Sequence, residues 1–286
     1  MNTRWALKRA AKWAVEWGMA VTGGGIIYRR SAAFREGYRI LTYHGVADEP
    51  KDSYSVRTDH FRFHMAFLAD HYKVVTLEEL AYTLKTGVST PQETIAVTFD
   101  DGYKECSAIV AEILDRYRIP ATFFIVTGIL DGKTRAVGRE YMSWDDVRTL
   151  VEAEFSVGSH TVSHRSLGEL PLTEVEQELT VSRNRIQAEI GTLPAGLAYP
   201  YGTMRDFSPA IAGIAEKAGY LYAATAIHGL NYESDSTFVL RRTTLTAGDG
   251  PRTFRMILKG CLDPWRIVDK WAYRFQRPSS SGLGQL

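Results

Sequence analysis

The chain has 286 residues, of which 45% are hydrophobic and 23% charged. This is a globular composition, long enough for one large core or two smaller ones. A net charge of +1 argues against nucleic acid as a partner, and no stretch carries the roughly 20 mostly apolar residues that a bilayer span needs.

Residues 1–35 read as a basic, aromatic, amphipathic helical extension. Trp5, Leu7, Trp13 and Trp17 alternate with Arg4, Lys8, Arg9 and Lys12. Lys12, Glu16 and Gly23-Gly24-Gly25 interrupt the stretch, which makes a poor signal-peptide core. Near the other end, Trp265, Trp271, Tyr273 and Phe275 alternate with Arg266, Lys270, Arg274 and Arg277. Residues 1–39 carry +6 and residues 252–286 carry +5, which leaves the middle at −10 against the total of +1. An acidic body between basic, aromatic ends suits peripheral contact with an anionic membrane. The expected location is cytoplasmic, at the inner face of the cell membrane. Two distant cysteines, Cys106 and Cys261, form neither a disulfide framework nor a zinc knot and suit a reducing compartment.

Residues 36–276 read as one domain, followed by a disordered tail over 277–286 that contains Pro278-Ser279-Ser280-Ser281-Gly282. Short apolar runs predict strands over 39–46, 73–77, 94–99, 121–126, 155–158, 197–200 and 220–226. Helical spacing predicts helices over 58–71, 103–117, 143–151 and 208–218. Another runs from a capping box at Thr173 and Glu176 to a stop at Gly191. Strands alternating with helices predict an α/β fold with a parallel sheet, and about seven such units favour a (β/α) barrel. Chemistry in such a barrel belongs at the C-terminal ends of the strands.

Four groups of residues fall at such ends. Leu41-Thr42-Tyr43-His44-Gly45-Val46 closes the first predicted strand and offers His44 as an acid/base. Thr98-Phe99-Asp100-Asp101-Gly102 follows an apolar strand. Adjacent carboxylates raise each other's proton affinity, and a cation that takes one as ligand leaves the other free as a base. Ser159-His160-Thr161-Val162-Ser163-His164 has the His-x3-His spacing of shared metal ligation. Leu197-Ala198-Tyr199-Pro200-Tyr201-Gly202 offers a tight turn with a backbone N–H that could serve an oxyanion. His60 and His64 have the same spacing as His160 and His164 but lie inside a predicted helix. They are read as structural or exposed, as is His71.

Together these motifs resemble the polysaccharide deacetylase family, also called the NodB-homology or carbohydrate esterase family 4 domain. The resemblance covers residues 38–245, and the early Tyr43-His44-Gly45-Val46 points to the branch that contains exopolysaccharide deacetylases. It implies a distorted (β/α) barrel that removes N-acetyl groups from an N-acetylhexosamine-containing glycan or lipid-linked sugar and releases acetate. It makes Asp101, His160 and His164 the ligands of a divalent metal, zinc or else cobalt or nickel. Asp100 becomes the general base and the Tyr201 N–H the oxyanion donor. Trp144 becomes a wall of the sugar pocket, with Tyr199 as a second substrate contact. Two departures stand out. The family's Arg, which orients the base, is replaced by Ala198, so Arg241 or Arg242 is expected to substitute. The late Leu-His that protonates the leaving amine is missing, and His44 is favoured over His228 for that task. Hydrolysis of an O-acetyl sugar or another amide, or non-catalytic carbohydrate binding at a membrane, are the competing functions.

Overall fold

The structure, a computed structural model, describes residues 3–50, 52–88, 93–135 and 138–272. Ten strands are present among them: β1 Arg39–Tyr43, β2 Gly45–Ala47, β3 Ser55–Arg57, β4 Lys73–Val75, β5 Thr94–Phe99, β6 Ala121–Ile125, β7 Ser156–Ser159, β8 Gly196–Ala198, β9 Tyr222–Ala224 and β10 Thr243–Thr244. The main sheet is parallel throughout, in the order β10-β1-β5-β6-β7-β8-β9, with β4 on the first half of β5. Leu240 bridges to Ala224 of β9 and Thr243 pairs with Leu41 of β1. One short segment therefore joins the two edges of the sheet and rounds it into the expected distorted barrel.

Strand alternation sorts the core into an inside and an outside. Ile40, Ala96, Phe124, Ala198, Tyr222 and Leu240 fill the barrel. Leu41, Tyr43, Val97, Phe99, Phe123 and Ile125 face the surrounding helices. Every residue of β1, β5 and β6 is buried, as parallel strands covered on both faces require. The register places Tyr43 opposite Phe99 and Phe99 opposite Phe123. Their rings stack at 5.4 and 4.9 Å between centroids, an aromatic ladder that ties three strands together.

The extension is helical, with helices Thr3–Val21, Gly24–Arg29 and Ala32–Arg35. It packs on the barrel. Val15 joins the outer core, Arg252 lies 3.9 Å over the Trp17 ring, and Lys12 lies 5.8 Å from the ring of buried Trp265. The expected tail over 277–286 and the end of the 36–276 domain lie outside the described residues.

Several boundaries differ from expectation for local reasons. The 39–46 run breaks at His44, and β2 leaves the main sheet to pair with β3. The 73–77 run stops at Val75 because Thr76 caps the helix Leu77–Thr86 in a capping box with Glu79. The helix predicted over 103–117 is a 3-10 turn Lys104–Cys106 followed by Ile109–Arg116. The capping box at Thr173 and Glu176 does not form. Pro171 is the N-cap, the helix is Leu172–Ile190, and Gly191 ends it at φ 75°. Strand β10 is only a Thr-Thr pair, and it lacks the apolar run that flags a strand.

Candidate metal centre

Asp101, His160 and His164 come from the ends of two non-adjacent strands, β5 and β7, and meet in one buried cluster. Their candidate ligand atoms all lie within 4.8 Å of one another. His160 Nε2 is 3.5 Å and His164 Nε2 3.3 Å from Asp101 Oδ1. His160 Nδ1 is 2.8 Å from the Ala198 carbonyl. A carbonyl only accepts, so Nδ1 carries the proton and Nε2 keeps its lone pair toward the cluster. Asp101 Oδ2 is buried with no hydrogen-bond partner among the described residues. Two imidazoles and a carboxylate with spare lone pairs fit a divalent ion with an open coordination position.

Backbone strain concentrates here. Among the described residues seven non-glycine residues have positive φ, and Asp101 (73°), Thr161 (68°), His164 (56°) and Tyr201 (61°) are four of them. Such conformations persist where the surroundings impose them, and they gather at functional sites. The surroundings are visible. Glu178 accepts from the N–H groups of Val162 and Ser163 and from the Ser163 hydroxyl, at 2.8, 2.9 and 2.6 Å. This fixes the loop that carries His164. Asp206 accepts from Ser166 at 2.5 Å and from the Thr203 N–H and hydroxyl at 2.8 and 2.6 Å, which ties the His164 loop to the turn at Tyr201.

Asp100 stands beside the cluster in a buried fork. Arg242 Nη1 donates to its Oδ1 at 2.7 Å and Nη2 to its Oδ2 at 2.6 Å. Both side chains are almost fully buried. Burial would raise the Asp100 carboxyl, but Arg242, with His160, holds it below its ordinary value. Burial works against Asp101 as well, and the two imidazoles beside it hold it well below the usual range. Within that group burial opposes the charge on both rings. Asp101 nonetheless lifts His160 above its ordinary value, while burial keeps His164 below its own. Of the two expected cations, Arg242 is thus the one that reaches Asp100. Arg241 pairs with Asp235 at 2.6 Å.

His44 follows β1 directly and contributes to the field that lowers both Asp100 and Asp101. Its ring lies 5.0 Å from that of Tyr54. The Tyr201 ring stands 5.0 Å from His164. His228 lies elsewhere. Its Nε2 is 3.2 Å from Asp263, which also holds Arg39 at 2.9 Å. Arg39 shares the outward face of β1 with Leu41 and Tyr43, so His228 belongs to the helix layer outside the barrel. Tyr199 is corrected: its side chain is 1% exposed, stacks on Phe207 and donates to the Phe238 carbonyl at 3.1 Å. A ring so enclosed cannot touch a substrate. Trp144 donates from Nε1 to Asp131 at 2.8 Å and lies under the Arg185 guanidinium. These contacts hold it half-buried on the helix Trp144–Glu152.

The His60/His64 pair behaves as read from sequence. Both lie in the helix Thr58–His71, where His64 is buried, accepts or donates at Tyr43 and stacks on Phe254 at 3.9 Å. The sequence reading missed Tyr103 and Tyr141. Burial and the nearby Asp101 raise both phenols, Tyr141 to about 12. Tyr103 directly follows Asp101-Gly102, a position that could have flagged it.

The sequence model of the family described as polysaccharide deacetylase matches residues 87–223. YxkH of Bacillus subtilis is 24% identical over 211 residues, 73% of this chain and 71% of its own. The poly-beta-1,6-N-acetyl-D-glucosamine N-deacetylase of Escherichia coli is 29% identical over 138 residues, 44% of this chain. The Staphylococcus aureus protein of the same name is 27% identical over 164 residues, 54% of this chain. The matched stretches span only 20% and 56% of those two enzymes. Among solved structures, Streptococcus pyogenes deacetylase PplD in complex with acetate superposes with a TM-score of 0.70 at 19% identity, covering 78% of this chain and 98% of PplD. That likeness speaks to the fold.

Proposed function

We propose that this chain, whose residues 87–223 match the sequence model of the polysaccharide deacetylase family, removes N-acetyl groups from an N-acetylhexosamine-containing glycan, with a divalent metal held by Asp101, His160 and His164. The observation that carries this reading is the pairing of two neighbouring carboxylates with opposite tasks. Asp101 faces two imidazoles, while Asp100 faces a guanidinium. A simple binding site has no use for the second, charged carboxylate.

In this reading a bound zinc or similar ion would supply Lewis acidity, polarising the acetyl carbonyl and lowering the pKa of a water toward about 7. Asp100 takes the proton from the attacking water. Arg242 keeps it anionic and fixes the direction of its lone pairs. The Tyr201 N–H, on the strained turn beside His164, donates to the developing oxyanion. His44 gives a proton to the leaving sugar nitrogen, because an amine anion cannot depart near neutral pH. Trp144 borders the sugar-binding cleft. Measuring acetate release from N-acetylated oligomers alongside metal content tests this. Asp100→Asn is expected to keep its metal and lose turnover. Wild-type activity in that variant would overturn the role of Asp100, and release from O-acetyl esters alone would overturn the substrate class.

We further propose that the extension rests on the anionic inner face of the cell membrane. Val21, Ile26 and Ile27 are 76%, 64% and 74% exposed, beside exposed Arg29 and Arg30. Apolar tips flanked by cations suit an anionic bilayer surface. Arg29 pairs with Glu93, just before β5, so this patch lies toward the N-terminal rim, away from the metal cluster. That arrangement favours a polymer reaching out from the membrane over a sugar held at the lipid surface. Flotation of the full chain with anionic liposomes, against Ile26→Ser/Ile27→Ser, tests it; equal flotation of both would overturn it.

A further inference from the structure

We propose that Arg139 is a positioning residue: it clamps the His44 loop to the Asp101 loop and so sets where the His44 ring stands over the metal centre. The inference rests on the reading of His44 as proton donor.

The segment around Arg139 is itself fastened to the loop after Asp101. Met142 N–H donates to the Gly102 carbonyl at 2.9 Å and Lys104 N–H to the Glu140 carbonyl at 3.0 Å, and Tyr103 and Tyr141 form an antiparallel bridge. From this platform the guanidinium reaches three ways. Nη1 donates to Asp52 at 2.7 Å and to Ser55 at 2.9 Å. Nη2 donates to Glu105. The cation lies 3.8 Å over the Tyr103 ring. One side chain, only 15% exposed, therefore joins the loop after His44 to the loop after Asp101.

The link reaches His44 by two routes. Asp52 accepts from the N–H groups of Tyr54 and Ser55 at 2.9 and 2.8 Å, and Tyr54 is the ring that packs on His44. Gly45, the next residue after His44, lies against the guanidinium so closely that a methyl group there would collide with it. Meanwhile His44 Nδ1 is buried with no hydrogen-bond partner among the described residues. Most catalytic histidines take their orientation from a partner at the second ring nitrogen. Here the ring's orientation depends on the loop around it, and that loop depends on Arg139. A displacement of about 1 Å at such a group can cost on the order of 100-fold in rate.

A kinetic double-mutant cycle tests this. Arg139→Met should keep the metal content and a cooperative unfolding transition, and lower kcat by about 10- to 100-fold with little change in KM. In the His44→Ala background the same change should lower kcat by less than about threefold, because the group it positions is gone. Arg139→Lys keeps the charge without the fork and should recover part of kcat. Losses that multiply across the cycle, or loss of metal in Arg139→Met, would overturn the proposal. Should Arg139→Met fail to fold, Gly45→Ala displaces the guanidinium while keeping its charge, and the same non-additivity with His44→Ala is expected. A wild-type kcat for His44→Ala, seen with Arg139 intact, would overturn the reading of His44 itself.

Discussion

Arg242 is the residue on which the buried Asp100 carboxylate depends. It is 1% exposed and faces Asp100 through two hydrogen bonds inside the barrel. Removing one partner of a buried pair leaves the other charge stranded, at a cost of about 3–5 kcal/mol. Arg242→Met should lose that much stability by chemical denaturation, and Asp100→Asn with Arg242→Met should lose less than the two single changes added together. Additive losses would mean that the fork contributes little. The family resemblance implied that Ala198 leaves Asp100 without its orienting cation, with Arg241 or Arg242 as the substitute. It could not choose, because the choice depends on strand parity. Thr243 points outward to Arg39 at 3.1 Å, so Arg242 points inward, and a two-residue polar strand does not announce its own phase. Conversely, His160 and His164 were legible against His60 and His64 at equal spacing, because only the former pair follows a strand. At His44, substitution by Ala should leave metal content unchanged and lower turnover by about 10²–10⁴-fold, the usual range for a general acid.

Elements were legible where their apolar period was strong and blurred where side chains capped them. Strand β5 matches its predicted span because each of its six residues is buried. The run at 73–77 ended early because Thr76 captures the Glu79 N–H at 3.1 Å while Glu79 returns to the Thr76 N–H at 2.9 Å. Thr76→Ala should therefore cost about 1 kcal/mol in denaturation experiments. Thr173→Ala should cost far less, since Pro171 already starts that helix and Thr173 caps nothing. A loss at Thr173 equal to that at Thr76 would contradict the assignment. Tyr199 shows the opposite failure. Its place in a motif suggested a substrate contact, but the residue count along β8 turns its ring into the core around Leu179 and Ile211.

Across the whole molecule, the basic ends that are far apart in sequence meet on one flank, where Lys12 approaches Trp265 and Arg252 covers Trp17. Two buried groups near that flank make stability depend on pH. Burial, with help from His60, lowers His64 from 6.5 to about 3. Its contribution is present above pH 6.5 and is lost as pH falls toward 3, because the unfolded chain takes up the proton first. Burial, reinforced by Asp249, raises Glu16 from 4.5 to about 8. Its contribution is present below pH 4.5 and is lost as pH rises through 8, because the folded chain must then bury a charge. Stability should decline on both sides of mildly acidic pH. Denaturation at pH 4, 6 and 8.5 checks this: Glu16→Gln should flatten the alkaline limb and steepen the rise from pH 4 to 6, where the loss from Glu16 offsets the gain from His64, and an unchanged alkaline limb would contradict the burial of Glu16.

The central claim is that Asp101, His160 and His164 hold a metal which the neighbouring Asp100 uses to deacetylate a glycan. It is tested most directly by measuring bound metal and acetate released from N-acetylglucosamine oligomers in the same preparations of wild type, His160→Ala and Asp100→Asn. The account predicts about one divalent ion per chain and acetate release for wild type, neither for His160→Ala, and the ion without turnover for Asp100→Asn. Acetate release by His160→Ala at the wild-type rate, with no metal bound, would contradict it.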